Sequence, residues 1–537
     1  MAPDARRRAL GAVVAAALVA AAARLLAVTP DAPTMTSWLA AACAYLALAT
    51  ALPSSGRAAS WTVALGAAAL AVGSAWPLLD AAFLSDAPVL RAAYAGVDVR
   101  GDWNHPFLSY ALLRPVVRAS LDPRALRALP VAYAVAETAL AALAARIAGG
   151  PFAGALAGAW FAAELRRRHG IPDLGDWDLA GVFLCALLLW ASRRDDGTSR
   201  DRPAWRAVVV VALLAGGVAS SWLMVVPAAV MAGCLALDAA SNRARRLSAA
   251  VTAAVVAALA VPVLQVFMTG HHGVEPGHAK DLGRAMLVES PLGRTPLFAL
   301  PALLGLADLV ARPSTLARRF ALGTLLAVPA AVAVAYRWSH VNGGYYAGLA
   351  TPVLCVAAAV PSARAFDAWM RSLDPSAAPP FAAHLGVARR AVAAVLVALV
   401  TARGVAAPEA APHGILGPFA ARVAASRRPV LTNAGSLARL VAFERSRAGA
   451  APLAEVLAPP SELERRIVLL DPSTCAPRAP VPPGDDGFDV ALLRSDDATA
   501  ARACRARWDA RCRDLGPPHA DPQPPIRFLA CDGSPDR

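Results

Sequence analysis

The chain has 537 residues, of which 57% are hydrophobic and 17% charged, too apolar a composition for the charged surface of a soluble enzyme. Its formal net charge of +14 comes almost wholly from arginine, Lys280 being the single lysine. The arginines lie between apolar segments and form no aromatic-interleaved patch, which excludes a nucleic-acid surface and fits a polytopic membrane protein with basic cytoplasmic loops.

A span across roughly 30 Å of hydrocarbon needs about 20 apolar residues. Such windows fall near 9–28, 36–53, 60–79, 127–147, 151–165, 178–192, 205–220, 222–239, 248–268, 295–311, 320–336, 345–361 and 390–406, thirteen in all. Many are rich in alanine, which contributes little insertion energy, so their ends are soft. The first has a basic start and Ala-x-Ala triplets in the manner of a signal peptide; a retained helix is the preferred reading, and later topology is the same under both.

Arg6, Arg7 and Arg8 put the amino terminus in the cytoplasm, and alternation then puts Arg57, Arg193, Arg243, Arg318, Arg319, Arg389 and Arg390 there too. Arg166, Arg167 and Arg168 fall on the opposite face, either through a misplaced helix end or as an attraction for lipid phosphate.

Between the third and fourth windows, residues 76–118 form an outer loop that holds Asp80, Asp86, Asp98, Asp102 and His105. Asp80 follows Trp-Pro-Leu-Leu at a helix end, where a carboxylate must reach water or a protein cavity. Taken alone it reads equally as an ordinary helix-end acid; its clustered company favours chemistry, because neighbouring carboxylates push one pKa toward a useful base. Glu137 and Asp308 fall inside apolar windows; Asp308 is near enough to a helix end to reach water, and Glu137 is placed to bond a neighbouring helix.

From about 407 onward there is no spanning segment, prolines and acids are frequent, and the runs 465–471 and 489–494 read as strands. Cys43, Cys185, Cys234 and Cys355 lie in apolar helices as small hydrophobes. Cys475, Cys504, Cys512 and Cys531 lie in the tail, where an even set in an oxidising compartment reads as two disulfides with three possible pairings. A zinc site is the competitor, but the spacing lacks a C-x-x-C pair. There is no repeat of fixed period, no phosphate-cradling glycine loop and no dinucleotide fingerprint.

LLDAAF (78–83) followed by GDWNHPFLSYALLRP (101–115) resembles the first outer loop of the polyprenyl-phosphate-sugar glycosyltransferases of the GT-C type. That group includes protein mannosyltransferases, aminoarabinose transferases and bacterial relatives that decorate lipopolysaccharide. Residues 124–163, with an arginine and proline entry and a paired helix hairpin, share the look of the family, and Asp178 in IPDLGDWDLAG (171–181) matches an aspartate that opens a later helix. The resemblance covers roughly residues 60–360. It implies that Asp80 is the catalytic aspartate, with His105, Pro106, Leu108 and Tyr110 in the second motif and Asp102 beside the histidine. Ala81 replaces the usual Glu, Phe107 replaces a proline, and two extra helices precede the usual first one.

The implied architecture is mainly α: a polytopic GT-C-like membrane bundle of about 13 helices with a small C-terminal α/β extracytoplasmic domain. Residues 1–59 are then an additional transmembrane hairpin, 60–406 the catalytic domain and 407–537 a disulfide-bearing domain. The implied reaction is attack by an acceptor hydroxyl on the anomeric carbon of a hexose or pentose carried on polyprenyl phosphate, with inversion, at the outer face of a bacterial inner membrane. Asp80 takes the proton, with Asp102 and His105 beside it and Asp86, Tyr110 and Asp178 lining the substrate. Lys280, Arg284, Arg294 and Arg337 are candidates to stabilise the departing phosphate, although each arginine serves equally as an interfacial anchor. The acceptor is a lipid, a glycan or a protein.

His271, His272, Glu275 and His278 share one loop and are candidate ligands for a divalent metal, although no helical His-x-x-x-His spacing occurs. No cofactor is certain. The alternative reading is a transporter or flippase for a lipid-linked sugar, but carriers tend to show internal repeats and gate residues within helices. A surface-polysaccharide polymerase or ligase would share the topology without the His-Pro match.

Overall fold

The computed structural model describes residues 35–53, 56–80, 87–97, 107–165, 177–195, 203–238, 250–254, 296–338, 348–372, 428–433, 437–471, 474–482, 487–493, 511–514 and 526–532, with isolated positions between them. The windows at 9–28 and 390–406, and the arginines at 166–168, lie outside these residues.

The N-terminal part of the described bundle is α1 (Met35–Ala51) and α2 (Arg57–Ala75), the latter continued by a 3-10 turn, Trp76–Asp80. Tyr45 of α1 donates its hydroxyl to the Val63 carbonyl at 2.6 Å, and Trp38 donates its indole N–H to the Leu70 carbonyl at 3.3 Å, so both polar tips are satisfied within the pair. Two short helices follow in the loop 76–118, α3 (Ala87–Gly96) and α4 (Phe107–Ala119). The sequence presents this stretch only as a loop. It is helical because Val89, Ala92 and Ala93 recur at helical spacing on one buried face, in segments too short to span.

Next comes α5 (Pro123–Leu165), which the sequence reads as two windows. Asp122 caps it by accepting the Arg124 N–H at 2.8 Å, and Pro123 occupies the first helical position. At Gly150 the backbone turns to φ 87°, ψ 178°, and Pro151 begins the return. The two halves then pack back to back: a Cβ on Gly154 would stand 2.7 Å from the Ala142 carbonyl oxygen. This is the expected hairpin, closed by small residues in the way membrane helices approach one another.

The remaining bundle helices are α6 (Trp177–Asp195), α7 (Pro203–Ser220), α8 (Val225–Asp238), α9 (Pro296–Ala311), α10 (Leu316–Trp338) and α11 (Thr351–Ser372). α11 is longer than its apolar window. Gly305 lets α9 meet α11 backbone to backbone, since a Cβ there would lie 2.6 Å from the Ala357 carbonyl oxygen.

Among the described residues, Arg57–Ala75, 123–165 and 348–368 are each long and apolar enough to cross a membrane. The outside of the bundle carries large apolar side chains in the open, with Trp61 66% and Leu65 62% exposed on α2 and Leu300 and Leu303 exposed on α9. Apolar groups facing outward over an equally apolar core are what a hydrocarbon solvent selects. The chain is a helical membrane protein.

The C-terminal part adds α12 (Leu437–Arg447), α13 (Ser461–Arg466) and five strands: β1 (Val430–Thr432), β2 (Ile467–Leu469), β3 (Phe488–Leu493), β4 (Cys512–Asp514) and β5 (Ile526–Cys531). They form one sheet in the order β2-β1-β3-β5-β4; β1 runs parallel to β2 and β3, and β5 antiparallel to β3 and β4. The strands expected at 465–471 and 489–494 are β2 and β3. Of the three pairings open in the sequence, the structure has Cys475–Cys504 and Cys512–Cys531. The second joins directly paired positions of β4 and β5, and the first is buried against Trp508 and Phe488. Gly487, at φ 91°, has no room for a side chain, because a Cβ would run into the Cys531 carbonyl.

One apolar core spans two distant parts of the chain. Val89, Ala92 and Ala93 of α3 and Leu113 and Val117 of α4 pack with Val430 of β1 and Leu440, Val441 and Phe443 of α12. The C-terminal sheet therefore sits on the same end of the bundle as the loop that carries α3 and α4.

Candidate active site

Asp80 is the last residue of the 3-10 turn that follows α2, at the end of the bundle covered by α3, α4 and the C-terminal sheet. The turn is held from α5. Arg127 is fully buried, and its Nη1 donates to the Leu79 carbonyl at 2.9 Å, one peptide before Asp80. A charged donor to a carbonyl is stronger than a neutral one, and the low-dielectric surroundings leave the guanidinium unscreened by water. A fixed positive charge at that position favours anions nearby, both a carboxylate and a phosphate.

Two carboxylates are buried where α5 meets α6. Glu137 of α5 and Asp178, in the first turn of α6, are both fully buried. The Glu137 carboxylate lies against Gly181, one turn beyond Asp178, and a Cβ at Gly181 would collide with it. The helix dipole of α6 favours an acid in its first turn. Glu137 does meet a neighbouring helix, as expected. It follows Arg127 by ten residues on one helix, about 15 Å of rise.

Tyr110 lies on α4, half-buried, with its ring 6.2 Å from that of Tyr94 on α3 in an edge-to-face arrangement. Arg114 Nε donates to the Ala95 carbonyl at 3.0 Å and ties α4 to the end of α3. Arg337 lies near the end of α10, and its side chain is outside the described residues, as is that of Asp80. Asp86, Asp98, Asp102, His105, Pro106, Lys280, Arg284, Arg294, His271, His272, Glu275 and His278 also lie outside them. Among the described residues there is no group of three or more His, Cys, Asp or Glu placed to hold a metal.

The structure thus brings the Asp80 turn, Tyr110 and the loop helices to one end of the bundle, with Asp178 in the first turn of α6. The residue that sequence reasoning passed over is Arg127. It was visible only as part of an arginine and proline entry to a helix, where any arginine reads as an interfacial anchor; Pro130, one turn on, was the neighbouring signal.

No family model matches the chain, and no curated protein matches it. Among solved structures, similarity is found only at low identity. The chain is similar to ArnT from Cupriavidus metallidurans in the apo state, at 14% identity and TM-score 0.47, over 88% of this chain and 98% of that one. It is also similar to the oligosaccharyltransferase of Archaeoglobus fulgidus in complex with Zn and sulfate, at 14% identity and TM-score 0.44, over 73% and 62%. The same enzyme tethered to an acceptor peptide containing the NVT sequon gives 12% identity and TM-score 0.41, over 68% and 57%. The chain spans about three fifths of the length of the oligosaccharyltransferase. At these identities the likeness concerns the fold.

Proposed function

We propose that the chain is an integral-membrane glycosyltransferase that moves a sugar from a polyprenyl-phosphate donor to an acceptor hydroxyl at the end of the bundle carrying the Asp80 turn. The observation that carries the reading is the buried Arg127 fixed to the Leu79 carbonyl. It puts a permanent cation beside the residue that the motif match makes the base, beneath a cover formed by α3, α4 and the C-terminal sheet.

In the proposed step the acceptor oxygen attacks the anomeric carbon while its proton passes to Asp80, with Asp102 and His105 beside it. The bond from the anomeric carbon to the phosphate oxygen breaks, and polyprenyl phosphate departs with one more negative charge. Lys280, Arg284, Arg294, Arg337 and Arg127 stabilise that charge. Attack from the face opposite the departing phosphate inverts the anomeric centre. Asp86, Tyr110 and Asp178 line the substrate, and a divalent ion, where one takes part, falls to His271, His272, Glu275 and His278. The site faces the periplasm of a bacterial inner membrane, with the C-terminal domain on the same side.

The test is incubation of the purified chain in vesicles with radiolabelled polyprenyl-phosphate sugars and cell-envelope acceptors. Covalently labelled product is expected with the native chain and its loss with Asp80→Asn. Equal product from the variant sinks the assignment of the base. Label that crosses the vesicle membrane with no covalent product turns the reading to a lipid-linked sugar carrier.

A further inference from the structure

The end of the bundle away from Asp80 has a cavity of its own. Ile147 follows Arg127 by 20 residues on the first half of α5, about 30 Å of rise and so one hydrocarbon thickness. There α5, α6, α9, α10 and α11 enclose a cavity of 250 Å³ with apolar walls that include Leu188, Leu309 and Val360.

Its rim is charged. Arg318, from the first turn of α10, pairs with the Asp308 carboxylate and also donates to the Asp308 carbonyl at 2.8 Å. Arg364 of α11 stands 3.5 Å from the same carboxylate oxygen, and Arg312 stands 3.9 Å from the other. Stapling the turn between α9 and α10 needs one arginine, and Arg318 supplies it. The other two leave one carboxylate facing three guanidiniums among the described residues, a surplus of positive charge at the mouth of an apolar space. Arg364 is 43% exposed there, and the Arg318 Nε is buried without a hydrogen-bond partner among the described residues. A buried donor in that condition calls for an acceptor, and guanidinium forks match phosphate oxygens.

We propose that this cavity is a binding site for a phosphate anion carried on a lipid. The phosphate sits between Arg318 and Arg364 while a hydrocarbon chain enters along Leu188, Leu309 and Val360. Apolar walls under a cationic rim fit an amphiphile better than a free ion. The site is independent of the Asp80 chemistry.

The purified full chain in neutral detergent is titrated with phosphatidylglycerol, with phosphatidylcholine as reference, and bound lipid is read by native mass spectrometry. Inorganic phosphate forms a parallel arm. Two variants are used, each first shown by thermal unfolding to be folded: Arg364→Gln, which removes a rim charge, and Ala321→Leu, which keeps every charge and fills the cavity. Retention of phosphatidylglycerol over phosphatidylcholine is expected, weakened about fivefold by Arg364→Gln and abolished by Ala321→Leu. Unchanged retention in both variants overturns the site. Binding of inorganic phosphate alone, lost in Arg364→Gln and with no lipid retained, overturns the lipid as its source.

Discussion

Arg127 is the residue on which the candidate site turns. Replacing it by Met keeps most of its volume but leaves the Leu79 carbonyl without its donor. An unmade bond to a buried group costs about 1–3 kcal/mol, so the melting temperature of Arg127→Met falls and, under the proposed function, kcat falls with it. Arg127→Lys, which keeps the charge and one donor, recovers part of both. Thermal unfolding beside the transfer assay checks this, and a variant with native kcat would dissociate the arginine from the chemistry.

Glu444 of α12 offers a residue-scale test outside the membrane. Burial pushes its carboxyl above the ordinary 4.5, against the opposing pull of Arg447, whose Nε donates to it at 2.8 Å. A raised folded pKa means that the native chain holds the proton more tightly than the unfolded one. Between the ordinary value and the raised one, stability therefore rises as pH falls. The protection factors of residues 437–447, taken relative to the intrinsic exchange rate at each pH, should rise from neutral pH down into that window in the native chain, and Glu444→Gln should flatten the trend.

At the scale of elements, the close approaches are made by glycines. Ala at Gly305 meets the Ala357 carbonyl at 2.6 Å, a backbone group that cannot swing aside, so α9 and α11 must separate. Gly150→Ala places a Cβ at φ 87°, which costs about 1 kcal/mol or more at the hairpin turn. Both substitutions should lower the detergent melting temperature, Gly305→Ala more, because it disturbs a helix interface as well as one turn. Gly233→Ala has open space around the new methyl and serves as the silent control.

Most helices were legible because a span of hydrocarbon imposes a length and a composition that survive in a single sequence. The α5 hairpin was legible as two adjacent windows, 127–147 and 151–165, and through the family resemblance over 124–163. The strands at 467–469 and 488–493 showed in short apolar runs bounded by charge and proline. What stayed hidden depends on tertiary contact. α3 and α4 are too short to register as spans, and their apolar faces have meaning only against α12 and β1. Arg127 reads like every other arginine in the chain until burial singles it out, and the sequence carries no sign of burial.

At the scale of the whole molecule, the C-terminal sheet and the loop helices α3 and α4 share one buried core. Breaking Cys475–Cys504 by paired Ser substitutions removes a cross-link worth about 2–4 kcal/mol. Because the sheet shares its core with α3 and α4, the loss should extend to the loop. Hydrogen exchange in residues 87–97 is expected to quicken in the doubly substituted chain along with that in 488–493. Protection of 87–97 that is indifferent to the cross-link would separate the two.

That shared core also orders events during synthesis. Val89 leaves the ribosome early and Phe443 late, with most of the chain between them. Until the last part has been made, the loop's apolar face stays uncovered and is open to chaperones and proteases. A message cut short after the last helix of the bundle would yield a protein inserted in the lipid yet missing its roof, and membrane-protein quality control should clear it faster than the full-length product.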